Sequence, residues 1–411
     1  MLSFKKDIKP VVDNQKIEDL LTRSVENIYP NKDFLKDRLL RGERVHIYLG
    51  IDPTGPTLHI GHMIIIRKLQ QFQQMGHKVT LLIGDFTATI GDPTGKSETR
   101  KVLSSAEVSK NCKLYKKQTS TLLSFTGSNK ASIVYNSKWL SKMGFADVLN
   151  LSSYMTVEQM LKRDMFEKRI LEKKPIYIHE FLYPLLQGYD SVALDVDGEI
   201  GGNDQTFNML VGRDLVKHIN KKEKFVITMK LLADSSGKKM GKSEGNMISL
   251  LDIPSNMFGK IMSWTDGMIL PAFELCTSIP LSDIEIIKND LKSGVNPKEL
   301  KVKLAKEIIS TFYDRKLADD AALQFEHTFS SGLVPNDVVE VEVSKDSLLV
   351  DVLLKQGLVS SKTEFRRLVD EGAILNIDTD YKIEDYHYKI VDNLVVKVGK
   401  RRFLKIISIK S

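Results

Sequence analysis

From Tyr48 to Gly76 the chain reads Tyr-Leu-Gly-Ile-Asp-Pro-Thr-Gly-Pro-Thr-Leu-His-Ile-Gly-His-Met-Ile-Ile-Ile-Arg-Lys-Leu-Gln-Gln-Phe-Gln-Gln-Met-Gly, and no other stretch restricts the fold as strongly. Val45 to Ile51 alternates apolar residues with His46, Tyr48 and Gly50, the period of a strand. Asp52 to Pro56 is broken by Pro and Gly and reads as a turn. From about Ile60, apolar residues recur at helical spacing (Ile64, Ile65, Leu69, Phe72), and Gly76 supplies a stop. A strand, a turn of small residues and a helix start in succession make a natural phosphate site, where free N–H groups meet the positive end of the helix dipole. His59 and His62 lie at this junction, three apart, so both imidazoles can face one ligand and donate to phosphate oxygens. Gly61 between them lets a flat ring or a sugar approach the backbone. Either histidine alone is as readily an ordinary surface or core residue. The pair, following Gly50-Ile-Asp-Pro-Thr54, is far more specific.

Lys78 to Asp85 reads as a second, buried strand, which completes a β-α-β unit and implies a parallel sheet with a right-handed crossover. Ligands of such sheets lie at the carboxyl ends of the strands, which is expected to gather Tyr48, Asp52 and Asp85 around one cleft. In the loop from Thr87 to Arg100, Gly91 and Gly95 stand too close for a Walker A motif. Lys96 and Arg100, directly after a strand, still suit a loop on the phosphate side, although a plain surface turn is the bland alternative.

Residues 11–42 read as two short outer helices broken at Tyr29-Pro30, and residues 104–180 as mainly helical with a strand from Ala131 to Tyr135. The Lys and Arg recurring from Lys162 to Lys174 suggest a solvated helix face. Tyr183, Gln187 and Asp190 fall on one stripe of an otherwise apolar helix, where polar groups are costly to bury unless something pairs with them. Val192 to Val196 reads as a strand, followed by Gly201, Gly202, Asp204 and Gln205, which combine close backbone approach with donors and acceptors. After a further strand, Phe225 to Leu232, comes Ser235 to Gly245, where Lys238, Lys239 and Lys242 alternate with Gly and Ser. That composition describes either a mobile cationic loop able to screen a triphosphate or a lysine-rich linker. Helical patterning resumes near Leu251, turns at Gly294 to Pro297 and continues from Lys298 to Phe312. Residues 332–346 read as a connector. Residues 347–411 read as a small module of two helices followed by strands near Leu375, Leu394 to Val398 and Phe403 to Ile409.

The 411 residues, 42% hydrophobic and 27% charged, suit two or three globular domains. A net charge of +7 makes a polyanionic partner plausible but is weak evidence alone. Cys112 and Cys276 are far apart and lack metal-ligand spacing, which favours a reducing compartment. With no membrane-length apolar run and no secretory or transit pattern at the start, a cytoplasmic protein is expected.

Taken together, these stretches resemble bacterial-type tyrosyl-tRNA synthetases across nearly the whole chain. His59-Ile-Gly-His62 resembles the HIGH signature of class I synthetases, and Lys239-Met-Gly-Lys242-Ser243 the KMSKS signature, with Gly241 in place of a serine. The resemblance implies a Rossmann-like parallel-sheet α/β catalytic domain over residues 1–235, with a dimerisation insertion at about 104–185. It also implies an α-helical anticodon-binding domain over 236–335 and a small α+β S4-like RNA-binding domain over 345–411. By the same resemblance, Tyr48 and Asp190 read the tyrosine hydroxyl, while Tyr183, Gln187 and Asp92 hold its ammonium and Gln205 lies near its carboxylate. Gly50, Asp52, Thr54, His59, Gly61, His62, Gly202, Asp204, Lys239, Lys242 and Ser243 surround ATP, with Lys96 and Arg100 near the pyrophosphate. Catalysis falls to His59, His62, Lys239, Lys242, Lys96 and Arg100. The implied partners are L-tyrosine, ATP carrying its own Mg²⁺, tRNA(Tyr) and a second copy of the chain; no protein-bound metal and no membrane are expected. Three rivals share part of the pattern. A tryptophanyl enzyme does not need the Tyr48–Asp190 pair, a small-molecule nucleotidyltransferase does not need the long C-terminal part, and a non-catalytic RNA-binding protein leaves the signatures without purpose.

Overall fold

The structure, a computed structural model, describes residues 8–94, 103–233, 247–330, 338–379, 381–399 and 402–409, the side chains of 327–330 excepted. The chain divides into two compact units, Met1–Arg315 and Lys316–Ser411.

The first unit is built on a six-stranded sheet: β1 (Val25–Tyr29), β2 (His46–Ile51), β3 (Lys78–Ile83), β4 (Ser132–Tyr135), β5 (Gly198–Gly202) and β6 (Phe225–Met229). Its spatial order is β1-β6-β5-β2-β3-β4, parallel throughout except for β1, which runs antiparallel to β6. From β2 the chain winds outward through β3 and β4, then returns to the other side of β2 as β5 and β6. The order therefore reverses between β2 and β5, and a crevice opens at the carboxyl ends of strands at such a point. β5 and β6 are buried along their whole length, as expected of parallel strands covered on both faces.

The β2–turn–helix unit forms as read, with a helix at Ile60–Gln74 and Gly76 at φ +90° closing it. Three expectations need correction. Between the helices Asn14–Thr22 and Lys32–Leu40 lies a strand, β1, whose half-exposed edge position gave it little apolar pattern. Val192 belongs to the helix Ile178–Leu194, and the strand follows later, at Gly-Glu-Ile-Gly-Gly. A short apolar run does not distinguish helix from strand, and the glycines of β5 hide a strand whose place is set by its neighbours. Gly198 is required there, because a Cβ would sit 2.1 Å from the Phe225 ring. The stretch from Lys162 to Lys174 is not simply a solvated face. Arg163 and Arg169 are buried, and Arg169 forms a two-pronged pair with Glu180, Nη1 to Oε1 at 2.7 Å and Nη2 to Oε2 at 2.9 Å.

Helices Pro254–Met262, Ile269–Cys276, Leu281–Lys292 and Pro297–Phe312 complete the first unit. Arg23 ties Ile269–Cys276 and the turn after it to the sheet domain by donating to the carbonyls of Phe273, Glu274, Thr277 and Ile279. The second unit carries the helices Arg315–Ser330, Leu349–Lys355 and Lys362–Asp370 and a five-stranded sheet. The strands are β7 (Glu340–Ser344), β8 (Ile374–Asn376), β9 (Tyr381–Lys382), β10 (Leu394–Val398) and β11 (Arg402–Ile409), in the order β7-β11-β10-β8-β9. The expected connector thus contains an edge strand, β7, paired parallel to β11. Leu353, Phe365, Val396 and Leu404 lie in its apolar core.

Candidate active site

A cleft of about 400 Å³ opens at the carboxyl ends of β2 and β5. β2 contributes Tyr48 and Gly50, and the turn after it Asp52 and Thr54. The start of the following helix contributes His59, Gly61 and His62, and the loop after β3 contributes Asp92. From the other side come Tyr183, Gln187 and Asp190 on the helix Ile178–Leu194, and Gly202, Asp204 and Gln205 at the end of β5. Residues that are far apart in sequence therefore share one cavity. Lys96, Arg100, Lys239, Lys242 and Ser243 lie outside the described residues. Asp85 departs from expectation: it does not line the cleft but accepts from the Ser137 backbone N–H at 2.9 Å and hydroxyl at 2.7 Å, ahead of a short helix.

His59 is the N-cap of its helix. Its Nδ1 accepts from the Gly61 N–H at 3.2 Å, while His62 Nδ1 accepts from the His59 N–H at 3.2 Å. With both Nδ1 atoms acting as acceptors, the neutral rings carry their proton on Nε2. The ring centroids are 3.9 Å apart. Gly61 is small because a Cβ would come within 3.0 Å of the His59 ring. Just beyond Met247 the chain forms a bridge with this junction, Ile60 N–H to Ile248 carbonyl at 3.0 Å and Leu250 N–H to Leu58 carbonyl at 2.9 Å.

At the closed end of the cleft, Tyr48 and Asp190 are each 1% exposed. Asp190 accepts from Trp139 Nε1 at 2.8 Å and Asn136 Nδ2 at 3.1 Å, and Tyr48 Oη lies 2.9 Å from Ser191 Oγ. Burial pushes the Asp190 carboxyl well above the usual carboxylate range, against the pull of those two donors. Burial likewise raises the Tyr48 phenol, with the Glu199 and Asp190 carboxyls adding to the shift. Nearer the mouth, Tyr183 donates to Asp52 at 2.8 Å, and the Gln187 side-chain oxygen is buried with no hydrogen-bond partner among the described residues. Asp92 accepts from Gln205 at 2.8 Å and from the Thr94 hydroxyl at 2.6 Å.

A family model described as class I tRNA synthetases of tryptophan and tyrosine (W and Y) matches residues 40–330. A tyrosine–tRNA ligase of Carboxydothermus hydrogenoformans is 44% identical over 97% of this chain and 99% of its own length. The tyrosine–tRNA ligase of Haemophilus influenzae is 42% identical over 94% of this chain and 95% of its own. The chain belongs to the tyrosine–tRNA ligase family of class I synthetases. Among solved structures, a truncated mitochondrial tyrosyl-tRNA synthetase of Aspergillus nidulans shares the fold. It has a TM-score of 0.64 and 23% identity, covering 77% of this chain and 94% of that one. An Archaeoglobus fulgidus tyrosyl-tRNA synthetase complexed with L-tyrosine does so at a TM-score of 0.59 and 21% identity, covering 75% and 100%.

Several residues in and behind the cleft escaped the sequence reading. Asn136 and Trp139 hold Asp190 from the cap and the body of the short helix Ser137–Leu140 after β4, a contact between segments with no shared pattern. Arg163 lies over the Phe207 ring at 4.4 Å and donates to Thr94 and Asn208, which in turn reaches Gln205 at 3.0 Å. Glu199 lines the cleft from β5 and is buried against Lys224. An isolated Glu flanked by glycine and isoleucine was the one available signal: a charge inside a buried strand requires a partner.

Proposed function

We propose that the cleft activates L-tyrosine with its phenol at Tyr48 and Asp190, its ammonium at Tyr183, Gln187 and Asp92, and its carboxylate beside Gln205. The observation that carries this reading is the buried polar pair at the closed end. In its ionised form, which the Trp139 and Asn136 donors favour, Asp190 uses one acceptor position on each oxygen and retains others, since a carboxylate offers about four. A phenol satisfies that capacity. A phenyl ring leaves it unmet, and tyrosine-versus-phenylalanine discrimination is the standard illustration of that rule. The partnerless Gln187 oxygen supplies an acceptor for an ammonium, and so does the Tyr183 hydroxyl oxygen, whose proton goes to Asp52.

ATP lies along the start of the helix Ile60–Gln74, its phosphates near the His59 and His62 Nε2–H groups and the Thr54 turn, its nucleoside near Gly50, Asp52, Gly61, Gly202 and Asp204. The tyrosine carboxylate attacks the α-phosphorus, the bond to the bridging oxygen breaks, and pyrophosphate leaves. A ribose hydroxyl of the terminal adenosine of tRNA(Tyr) then attacks the adenylate carbonyl and AMP leaves. Positioning and charge stabilisation by His59, His62, Lys239 and Lys242, with Lys96 and Arg100 at the pyrophosphate and Ser243 beside ATP, suffice without a covalent enzyme intermediate. Mg²⁺ enters with ATP; among the described residues no group of three His, Cys, Asp or Glu is arranged to hold an ion.

Residues 1–235 serve as the catalytic domain, 236–335 as the anticodon-binding domain and 345–411 as the S4-like module. The synthetase works as a cytoplasmic homodimer paired through the insertion. Phe145, Leu149, Val157, Leu171 and Ile178 support this, being large apolar side chains exposed within it. Among the described residues no helix is long and apolar enough to cross a membrane. The deciding experiment is ATP–pyrophosphate exchange over all standard amino acids. Exchange with tyrosine alone is expected, and exchange driven by tryptophan would overturn the phenol assignment.

A further inference from the structure

Lys224, the residue before β6, is completely buried below the cleft, in contact with Glu199 and not with the cavity itself. Burying an ammonium is expensive, and a well-packed apolar residue usually serves stability as well or better. The space for it is specific: a Cβ on Gly212 would sit 2.8 Å from Lys224 Nζ and 3.0 Å from Ser191 Oγ. Three acceptors surround the ammonium, namely Glu199 Oε2 in direct contact, Ser191 Oγ at 2.6 Å and the Met209 carbonyl at 3.3 Å.

We propose that Lys224 is a positioning residue that sets the direction of a hydrogen-bond chain ending on the substrate phenol. The proposal rests on the reading that the phenol docks between Tyr48 and Asp190. An ammonium has three protons and no lone pair, so Ser191 Oγ must accept from it. Ser191 then has one proton to place, with Tyr48 Oη at 2.9 Å and Glu199 Oε2 at 3.3 Å. Glu199 Oε2 can accept a second bond and competes for that proton, but the shorter contact is to Tyr48 Oη, and the relay runs through it. Tyr48, accepting from Ser191, has its own proton to give either to the Glu199 carboxylate within its reach or to a phenol in the cleft, and the bound phenol takes it. The phenol oxygen accepts that proton and gives its own to Asp190. With the opposite polarity, Tyr48 would donate to Ser191, and two acceptors, Tyr48 Oη and the ionised Asp190 carboxylate, would face a phenol with one proton. Lys224 also lies 5.8 Å from the Tyr48 ring centroid, so its charge bears on the same residue from a second side.

The test measures kcat and KM in pyrophosphate exchange for tyrosine and for phenylalanine. Lys224→Met is made together with Glu199→Gln, which avoids a buried unpaired carboxylate and keeps an acceptor for Gln187. Ser191→Ala, which leaves the ion pair intact, is the second variant should the first fail to fold. Both are expected to lower the tyrosine-to-phenylalanine ratio of kcat/KM by about tenfold, the loss of one hydrogen bond to a polar substrate group. The loss falls mainly on the tyrosine KM, because the bond is present in ground state and transition state alike. In a Tyr48→Phe background neither variant is expected to lower the ratio further. Equal losses for both amino acids, or a ratio effect that persists without the Tyr48 hydroxyl, would overturn the relay. If Tyr48→Phe itself leaves the ratio unchanged, the docking reading falls and the relay with it. If Tyr48→Phe lowers the ratio and the Lys224 and Ser191 variants do not, the relay alone is wrong.

Discussion

The Tyr183 hydroxyl donates to Asp52 Oδ2 at 2.8 Å, joining the helix Ile178–Leu194 to the turn after β2 across the cleft. Asp52 accepts on its other oxygen from Thr87 at 2.7 Å, so a single carboxylate fixes three walls of the site. The contact depends on Gly84. A Cβ there would lie 1.9 Å from Asp52 Oδ1 and 2.5 Å from Thr87 Oγ1, distances no side chain tolerates. Gly84→Ala is therefore expected to displace Asp52 and loosen Tyr183. The tyrosine KM should rise by about an order of magnitude or more, a scale set by the loss of charge-assisted hydrogen bonds, and thermal stability should fall. An unchanged tyrosine KM measured by exchange would show that the Asp52–Tyr183 contact does not shape the site.

Asp190→Asn probes the closed end of the cleft. Trp139 and Asn136 both donate to this side chain, so the new amide nitrogen must face a donor or turn towards the phenol. The variant also loses the charge that strengthens the phenol bond. Tyrosine kcat/KM is expected to fall by roughly one to two orders of magnitude, with the KM for ATP unchanged. Equal losses for tyrosine and ATP would point to a collapsed cleft instead.

The parts of this molecule legible from sequence are those in which one segment carries its own pattern. The β2–turn–helix unit, β3, β6 and the stripe of Tyr183, Gln187 and Asp190 all announce themselves through period and punctuation. The parts that are not legible depend on partners distant in the chain. β5 is a strand because β2 and β6 hold it on either side, and its glycines are there for packing, as Gly198 under Phe225 shows. Arg169 reads as a surface charge until Glu180 folds onto it, and β7 reads as a connector until β11 pairs with it. The Lys224–Glu199 pair is of the same kind: nothing local separates a buried lysine from the many exposed ones.

Lys68 provides a pH signature. It is buried on the helix Ile60–Gln74 with Nζ donating to the Leu20 carbonyl at 2.8 Å, and burial, aided by the charges of Arg23 and Arg67, lowers its pKa from 10.5 to about 7. Between those two values the unfolded chain binds a proton that the folded chain does not. Stability from this group therefore rises with pH across that window, at a limiting slope of about 1.4 kcal/mol per pH unit. Lys68→Met removes this contribution. The variant is expected to exceed the parent in stability at pH 6, with the difference shrinking towards pH 10. Urea unfolding at pH 6, 8 and 10 measures it, and a difference independent of pH would mean that Lys68 stays charged when folded.

The last prediction concerns the C-terminal module. β7 pairs with β11 from Glu340 to Ser344, so a deletion that respects the sheet begins at residue 338 and not at 345. Charge alone does not mark the module as RNA-binding, since basic residues only slightly outnumber acidic ones. Several of its basic side chains are engaged by acidic neighbours. Lys362 pairs with Asp351 at 3.3 Å, Arg367 with Glu371 at 2.8 Å and Arg402 with Glu364 at 3.2 Å, while Lys400 and Arg401 lie outside the described residues. These are largely exposed pairs, worth little to stability and readily exchanged for phosphate contacts. Removing residues 338–411 is expected to leave tyrosine-dependent pyrophosphate exchange within about twofold of the full chain, because every cleft-lining residue precedes them. tRNA charging should fall sharply, and the charging KM of the full chain should climb steeply with salt as counterions compete for the phosphates. A truncated enzyme that charges tRNA at the full-length rate, at both low and high salt, would reduce these arginines and lysines to ordinary solvated surface.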